Sequence, residues 1–220
     1  MKVLIAVESC AANRNLHQAM LDTWLGALSI MDIDCRFFIG GLSEPENHLE
    51  VWVPCLDTYD NLAVKTRGIC RWAATNNYDF LFKCDTDTVV NPKRLLESGF
   101  EQHDYMGAEN CDNLPPSLNA AFPECVGGKI SFASGGAGYW LSRDAMSYVA
   151  NGPLASFPED VYVSGVLGDN YIYPVWHEGY RWRPGSKIKG ATTFHLSSAL
   201  QVKYRPELMY EYYPKILLDK

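Results

Sequence analysis

No stretch of this sequence is long and apolar enough to cross a membrane, which takes about 20 apolar residues. The first apolar run covers residues 3–7 and is followed by the polar Glu8 and Ser9. Such a short run is unlike the apolar core of a signal peptide and is typical of a buried strand. We therefore expect a soluble, cytoplasmic protein, or a protein of the Golgi lumen if an anchor has been removed.

The sequence also lacks the paired cysteines of a zinc site, because none of its 7 cysteines stands in a Cys-x-x-Cys motif. Several, such as Cys70 and Cys84, lie within apolar runs, where a free thiol packs as a small apolar group. These positions predict reduced thiols and a reducing compartment. A disulfide between Cys111 and Cys125 is the alternative.

The sequence shows no long basic stripe either. The chain has 19 Lys and Arg residues against 26 Asp and Glu residues, which gives a net charge of -7 and a pI of about 5.2. Its densest basic run, residues 181–189, is short. Proteins that bind duplex nucleic acid usually carry a basic stripe or patch, so nucleic acid is not favoured as a partner.

The order of apolar patterns predicts the fold class. No internal repeat or low-complexity linker divides the chain, so residues 1–220 are expected to form a single domain. Strand and helix patterns follow the order β-α-β-β-α-β, which is typical of a mainly parallel α/β sheet with helices on both faces. The predicted strands cover residues 3–7, 34–40, 51–53 and 78–83, and the predicted helices cover residues 13–30 and 62–76.

Shorter elements are expected in the rest of the chain. The pattern predicts a helix near residues 93–101 and a loop over residues 109–129. Ser142 is expected to cap one helix, and Pro158 to open another. The tail, residues 206–220, either packs as a helix or lies partly loose.

Two acidic residues, Asp85 and Asp87, directly follow the strongly apolar strand at residues 78–83. Ligands of open α/β sheets bind at the carboxyl ends of strands. Two carboxylates one residue apart can converge there on one Mn²⁺ or Mg²⁺ ion, which keeps positions for phosphate oxygens and water. Acidic pairs also occur in ordinary loops, so it is the apolar strand before the pair that favours a metal site.

Six segments, in order between residues 3 and 196, share the pattern of one enzyme family. The most specific reads Asp-Thr-Tyr-Asp-Asn-Leu-Ala-Val-Lys-Thr. The six are Arg14 with residues 22–24, and residues 37–40, 57–66, 82–91, 134–142 and 158–165. On these segments the sequence resembles a compact, anchor-less relative of the inverting β-1,3-glycosyltransferases, which include the β-1,3-galactosyltransferases, the β-1,3-N-acetylglucosaminyltransferases and Fringe.

The resemblance implies a GT-A fold, a Rossmann-like α/β fold that binds a nucleotide sugar. Residues 1–108 would be the nucleotide-sugar half, residues 109–205 the acceptor and catalytic half, and the remainder the tail. The implied reaction moves a hexose or N-acetylhexosamine from a UDP-sugar to a hydroxyl of an acceptor such as a glycan, in a β-1,3-type linkage, with Mn²⁺ or Mg²⁺. Two alternatives stay open: a phage or viral enzyme that glycosylates a hydroxymethylated nucleobase in DNA, and a catalytically silent sugar-binding module.

The resemblance also implies a metal-ligand set. Asp87 is the principal ligand, and Asp85 contacts the metal through water or contacts the donor ribose. His195 completes the coordination, with His177 as the alternative histidine. The structural alternatives are solvated loop acids and a histidine satisfied within the core. Thr86 stands where the family has a middle acid, which the metal role does not require.

Catalysis by inversion needs one carboxylate to take the proton of the acceptor hydroxyl. Asp160 is the candidate general base, and its neighbour Glu159 is the rival. The structural alternative for both is charge at a helix N-terminus, where the helix dipole favours acids.

The remaining candidates would contact the donor. Asp57 could accept a hydrogen bond from uracil, Lys65 could offset the diphosphate charge, and Arg14 could contact uridine or phosphate. Gly135 and Gly136 would let the backbone approach the sugar closely. A helix cap, a solvated face and a plain turn are the competing interpretations.

Tryptophans offer flat apolar faces on which an acceptor sugar could stack. Trp140, Trp176 and Trp182 are the candidates in the second half of the chain, although each such residue more often belongs to the core.

Overall fold

The computed structural model describes residues 1–113, 129–153 and 158–218. Within these ranges the structure contains twelve β-strands and eight α-helices. The strands are β1 (Val3–Glu8), β2 (Asp34–Ile39), β3 (Glu50–Trp52), β4 (Phe80–Asp85), β5 (Thr88–Val90), β6 (Tyr105–Gly107), β7 (Glu109–Asn113), β8 (Lys129–Ala133), β9 (Tyr139–Ser142), β10 (Val175–Trp176), β11 (Tyr180–Arg181) and β12 (Thr193–His195). The α-helices are α1 (Arg14–Leu21), α2 (Trp24–Ile30), α3 (Leu62–Thr75), α4 (Pro92–Leu96), α5 (Arg143–Asn151), α6 (Glu159–Gly168), α7 (Leu196–Leu200) and α8 (Pro206–Ile216).

A central sheet of seven strands has the order β10-β6-β9-β4-β1-β2-β3. Strand β1 pairs in parallel with β2 and β4, β2 pairs in parallel with β3, and β6 with β10. Strand β9 runs antiparallel between β4 and β6. The prediction of a mainly parallel α/β sheet is therefore confirmed. Because β9 comes from residues beyond 109 and pairs on both sides with strands from before 108, the two predicted halves share one sheet.

Two hydrophobic cores cover the two faces of this sheet. Alternate residues of β1 divide between them: Val3, Ile5 and Val7 face one core, and Leu4 and Ala6 face the other. A strand buried on both faces must be apolar at nearly every position, which explains the continuous run at residues 3–7. Helices α1, α2, α4 and α8 supply the first core, and α3, α5 and α6 supply the second.

The tail packs as a helix, which decides between the two alternatives for residues 206–220. Met209 and Ile216 of α8 are fully buried in the first core. The side-chain amide of Asn91 and the guanidinium of Arg94 donate hydrogen bonds to the carbonyl of Ile216 at 3.1 and 3.4 Å, so the end of α8 is fixed beside α4.

One predicted helix, at residues 13–30, is wrong as a single element. The structure divides it into α1 and α2 at Thr23, whose backbone leaves the helical region with φ -120° and ψ -116°. The Thr23 hydroxyl donates to the carbonyl of Ala19 at 2.6 Å, a local bond that competes with the backbone ladder. The apolar spacing continues across the break because both short helices face the same core.

Two other predicted boundaries are also corrected. The helix expected over residues 93–101 ends at Leu96, since Gly99 adopts a left-handed conformation with φ 77° that stops a helix. The segment expected as a loop over residues 109–129 begins and ends in strands, because β7 and β8 pair antiparallel. Strand β7 reads Glu-Asn-Cys-Asp-Asn and has no apolar alternation, so its pairing with β8 could not be predicted from pattern.

Two predictions of local structure are confirmed. Helix α3 covers the predicted segment, and the hydroxyl of Ser142 accepts a hydrogen bond from the backbone N–H of Ala145 at 3.3 Å as the cap of α5.

No helix in the described ranges is long and apolar enough to span a membrane. The six cysteines of the described part are free, and Cys125 lies outside it, so the alternative Cys111–Cys125 disulfide falls outside the described residues.

Candidate active site

The site lies at the edge of the central sheet where the parallel strands end. Lys83 of β4 is level with Tyr139, the first residue of β9, and Asp85 is level with Glu8 of β1. The chain enters β9 through Gly138, whose φ of +82° and close packing against the ring of Phe82 exclude a side chain. The parallel topology thus gathers polar strand ends from separate parts of the sequence.

Asp85, Asp87 and His195 form one cluster at this edge. Asp85 ends β4, Asp87 lies in the tight turn before β5, and His195 ends β12, which pairs antiparallel with β5. One ligand atom from each of the three side chains lies within 4.8 Å of the others. Two carboxylate oxygens and an imidazole nitrogen suit a divalent cation such as Mn²⁺. The structure therefore brings together the three residues of the predicted metal site.

Hydrogen bonds orient this cluster. The Nε2 atom of His195 lies 2.9 Å from a carboxylate oxygen of Asp87, and the hydroxyl of Ser197 donates to the other oxygen. Burial raises the pKa of Asp87, but the hydrogen bond and charge of His195, together with the Ser197 hydrogen bond, leave the pKa below its usual value. Burial lowers the pKa of His195, but Asp87 outweighs it and leaves the pKa raised. Asp87 is thus held ionised, as a metal ligand must be.

The glycine loop, residues 135–138, packs against the cluster of Asp85, Asp87 and His195. A Cβ atom on Gly136 would lie 2.3 Å from the ring of His195, and one on Gly135 would lie 2.3 Å from a carboxylate oxygen of Glu159. The hydroxyl of Thr88 donates to the carbonyl of Gly136 at 2.7 Å, which joins the loop to β5. Both glycines are therefore required by close approach to site side chains; contact with a sugar stays a prediction.

A buried lysine connects the site to the sheet. The ammonium of Lys83 lies 2.8 Å from Glu8, 2.8 Å from Asp85 and 3.0 Å from Glu159. Burial alone would lower the pKa of Lys83, but the three carboxylates raise it well above its usual value. Burial raises the pKa of Glu8 and Glu159, because the single cation Lys83 does not fully offset the cost of burying both carboxylates.

Sequence reasoning assigned no role to Glu8 or Lys83. The available signal was a charged residue in each of two strands that are otherwise strongly apolar. Charged groups are rarely fully buried unless they are paired. Two such residues in adjacent strands could therefore have been predicted to meet.

Glu159 and Asp160 differ in their access to a substrate. Glu159 is buried, is paired with Lys83, and accepts a hydrogen bond from the hydroxyl of Tyr139. Asp160 is partly exposed and accepts hydrogen bonds from the backbone N–H of Gly135 at 3.3 Å and of Val161 at 3.0 Å. Burial raises the pKa of Asp160, which makes its carboxylate more basic. The geometry thus favours Asp160 over Glu159 for accepting a proton.

Asp57 and Lys65 contact each other near the ends of β1 and β2. Lys65 forms an ion pair with Asp57 and donates a hydrogen bond to the carbonyl of Ser9 at 2.5 Å. Asp57 accepts a hydrogen bond from the backbone N–H of Gly40 at 3.1 Å. The pair therefore ties α3 to two strand ends, and its predicted contacts with uracil and diphosphate stay predictions.

Arg14 lies in a network of acidic residues. Its guanidinium donates to Glu50 at 2.9 Å, to Glu46 at 2.6 Å and to the carbonyl of Glu44 at 2.6 Å. Each of its three nitrogens has a protein partner. The predicted contact between Arg14 and uridine or phosphate stays a prediction.

The alternative histidine, His177, lies elsewhere. Its Nδ1 atom accepts a hydrogen bond from the backbone N–H of Gly179 at 3.1 Å, and its ring lies against Tyr180. Among the described residues, the cluster with metal-ligand spacing contains His195 instead.

The three tryptophans divide between the core and the surface. Trp140 is fully buried, stacks on Phe100 at 3.8 Å and donates a hydrogen bond to Tyr180, so it belongs to the core. Trp176 and Trp182 line a surface pocket of about 520 Å³. Trp176 and Trp182 therefore remain the candidates for contact with a sugar.

No protein-family model matches the sequence, and no curated protein sequence matches it. Among solved structures, it is similar to a glycosyltransferase involved in the glycosylation of the major capsid of PBCV-1, with a TM-score of 0.50 and 12% identity over 96% of this chain and 100% of that one. A protein from STIV matches with a TM-score of 0.45 and 14% identity over 80% of this chain and 82% of that one. The first likeness shows that the chain has a glycosyltransferase-like α/β fold.

Proposed function

We propose that this chain is a metal-dependent glycosyltransferase that moves a hexose or N-acetylhexosamine from a UDP-sugar to a hydroxyl group, with inversion at the anomeric carbon. The observation that carries the proposal is the convergence of Asp85, Asp87 and His195 at the carboxyl edge of a sheet with a glycosyltransferase-like fold. Asp160 lies at the same edge, where it is joined to the glycine loop through Gly135.

The donor set fits a divalent cation. Asp85, Asp87 and His195 would hold it, and an imidazole ligand suits Mn²⁺ better than Mg²⁺. A cation bound there would supply positive charge that stabilises the departing diphosphate. The pair Asp57 and Lys65 would contact the nucleotide from the neighbouring strand ends.

Asp160 would act as the general base. In the proposed step the acceptor oxygen forms a bond to C1 of the sugar while the bond from C1 to the diphosphate oxygen breaks. The electron pair of that bond leaves with UDP, and the hydroxyl proton passes to a carboxylate oxygen of Asp160. Its raised pKa supports this role, because a more basic carboxylate takes the proton more readily.

The product linkage rests on the sequence resemblance. On that basis we propose a β-1,3-type linkage to a glycan acceptor. The basic run at residues 181–189 is short and the chain is acidic, which favours a glycan over DNA.

A panel of UDP-sugars tests the proposal. For at least one UDP-sugar, Mn²⁺ should be required for the release of UDP. Asp87→Asn should abolish this Mn²⁺-dependent release. Lys93→Gln, a change on the exposed face of α4, is the control and should behave as the wild type. If no UDP-sugar is hydrolysed or transferred and Asp87→Asn binds UDP as well as the wild type, the chain is a non-enzymatic module and the proposal fails. Transfer to DNA that contains hydroxymethylated bases, in preference to glycans, would replace the acceptor part of the proposal.

A further inference from the structure

The surface pocket of about 520 Å³ has no part in the proposed metal or proton chemistry. Its walls combine two tryptophans, Trp176 and Trp182, with three cations, Arg181, Arg183 and Lys187. We propose that this pocket binds a negatively charged sugar unit of the acceptor glycan. The role of this ligand as an acceptor rests on the proposed function, whereas binding of an anionic saccharide can be measured without any transfer.

The central sheet places the pocket beside the candidate active site. Trp176 of β10 is level with Gly107 of β6. Gly107 is in turn level with Tyr139 of β9, which is level with Lys83 of β4. Neighbouring strands are about 4.8 Å apart, so the three steps from Trp176 to Lys83 span roughly 14 Å. A short oligosaccharide can bridge that distance.

The smaller sheet brings the other tryptophan still nearer to the site. Strands β11 and β12 run in parallel, with Arg181 opposite Phe194. Trp182 follows Arg181, and His195 follows Phe194. Trp182 and His195 therefore lie just beyond the same end of the β11–β12 pairing. The pairing therefore places the backbone of Trp182 beside that of His195, one member of the metal-ligand cluster.

Both tryptophans have accessible surface, and a hydrogen bond fixes the position of Trp182. Trp176 is 39% exposed, and Trp182 is partly exposed. The indole N–H of Trp182 donates a hydrogen bond to the carbonyl of Glu109 at 3.2 Å, which holds its ring in the pocket wall. Rigid aromatic faces with a few polar neighbours are typical of small-ligand sites.

The charge of the pocket wall is opposite to that of the whole chain. Residues 181–189 contain four basic residues and no acidic one, although the net charge of the protein is -7. Arg181 donates hydrogen bonds to the carbonyls of Lys187 at 2.5 Å and Lys189 at 3.0 Å, so it fixes the shape of this segment. The guanidinium of Arg183 lies 3.9 Å from the carboxylate of Glu109, but its side chain is 61% exposed. Lys187 is exposed as well, so both cations are accessible to an anion from solvent.

Acidic residues in the same walls limit the charge of the ligand. Glu109 and Glu178 also line the pocket and would accept hydrogen bonds from sugar hydroxyls. They would repel a densely charged chain such as the backbone of a nucleic acid, which is usually bound by a larger basic surface than this segment offers. A saccharide with one carboxylate, sulfate or phosphate per sugar unit fits this mixture better than a nucleic acid.

Direct binding tests the inference. Tetragalacturonate and the neutral cellotetraose would be titrated against the full chain, with tryptophan fluorescence and calorimetry as readouts. Tetragalacturonate should bind more tightly, and its affinity should fall as salt is raised. The double variant Arg183→Gln/Lys187→Gln should weaken tetragalacturonate by about tenfold or more, since two charge-assisted contacts are lost. Lys93→Gln, which removes one exposed charge elsewhere, should leave the affinity unchanged.

Equal affinity for the two tetrasaccharides, or an unchanged affinity in the double variant, would overturn the inference. So would a single-stranded oligonucleotide that displaces tetragalacturonate from the wild type but not from the double variant, because the pocket would then bind nucleic acid. With a transferable anionic acceptor, the double variant should raise the acceptor KM and leave the donor KM unchanged. A chain that binds tetragalacturonate yet shows no Mn²⁺-dependent UDP release contradicts the proposed function alone.

Discussion

The imidazole of His195 lies 2.9 Å from a carboxylate oxygen of Asp87, although 108 positions separate the two residues in the chain. The antiparallel pairing of β12 with β5 creates this contact, because it places His195 opposite Thr88, the neighbour of Asp87. The same pairing makes a sequence-distant histidine available to the two acids of the β4–β5 turn.

The first prediction concerns this histidine. His195→Gln should weaken Mn²⁺ binding by about tenfold or more, because changes even beyond the direct ligands cost about 10–100-fold. His177→Gln, the matched control, should leave Mn²⁺ affinity unchanged, since His177 lies against Tyr180 and outside the ligand cluster. Calorimetric titration with Mn²⁺ measures both. The reverse pattern would assign the metal to His177.

The second prediction concerns the glycine loop. Gly136→Ala should weaken Mn²⁺ binding, because the added Cβ would lie 2.3 Å from the imidazole of His195 and the ring must move. Gly168→Ala is the control, since a Cβ there meets nothing within 4 Å. Mn²⁺ titration and a crystal structure of each variant would check this. An unchanged affinity in Gly136→Ala would show that His195 is not needed for the metal.

The third prediction concerns the general base. Asp160→Asn should lower kcat by about 10²–10⁴-fold while UDP and Mn²⁺ still bind. The base acts when ionised and burial raises its pKa, so wild-type kcat should fall as the pH decreases through a pKa above the usual range of an aspartate. Asp160→Asn should lose this acidic limb.

Glu159→Gln is the comparison for that experiment. It should keep the acidic limb of the pH–rate profile, because Glu159 is enclosed by Lys83 and Tyr139. Loss of the limb in Glu159→Gln and its retention in Asp160→Asn would reverse the assignment.

The fourth prediction concerns stability. Lys83→Met should lower the free energy of unfolding by roughly 3–5 kcal/mol near neutral pH, because it leaves Glu8 and Glu159 buried without a cation. Burial raises the pKa of each carboxyl in the folded state above its value in the unfolded state. At a pH between these folded and unfolded values, the folded state therefore binds more protons. The stability of the variant should therefore increase as the pH decreases through that window.

Urea unfolding at pH 5 and pH 8 tests this, and the deficit of Lys83→Met should be larger at pH 8. Adding Glu8→Gln should restore part of the lost stability, because it removes one uncompensated charge. Lys93→Met, on an exposed position, should cost little at either pH. A deficit equal at both pH values would mean that the loss comes from packing rather than from charge.

The sequence by itself determined the local features of this protein. The continuous apolar run at residues 3–7 predicted a buried strand, and the apolar residues before Asp85 placed that acid at a strand end. Helix α3 and the cap at Ser142 followed from spacing and side-chain chemistry. These features were predictable because each depends on contacts within a few residues of the chain.

The tertiary structure decided what depends on distant residues. Which histidine lies beside Asp85 and Asp87 follows from strand register. The enclosure of Glu159 beside the more open Asp160 follows from how α6 meets Lys83. The break at Thr23 also escaped the sequence, since the apolar period continues across it. Periodicity records which face of an element is buried, but which side chains meet at a site is fixed by pairing and packing between elements.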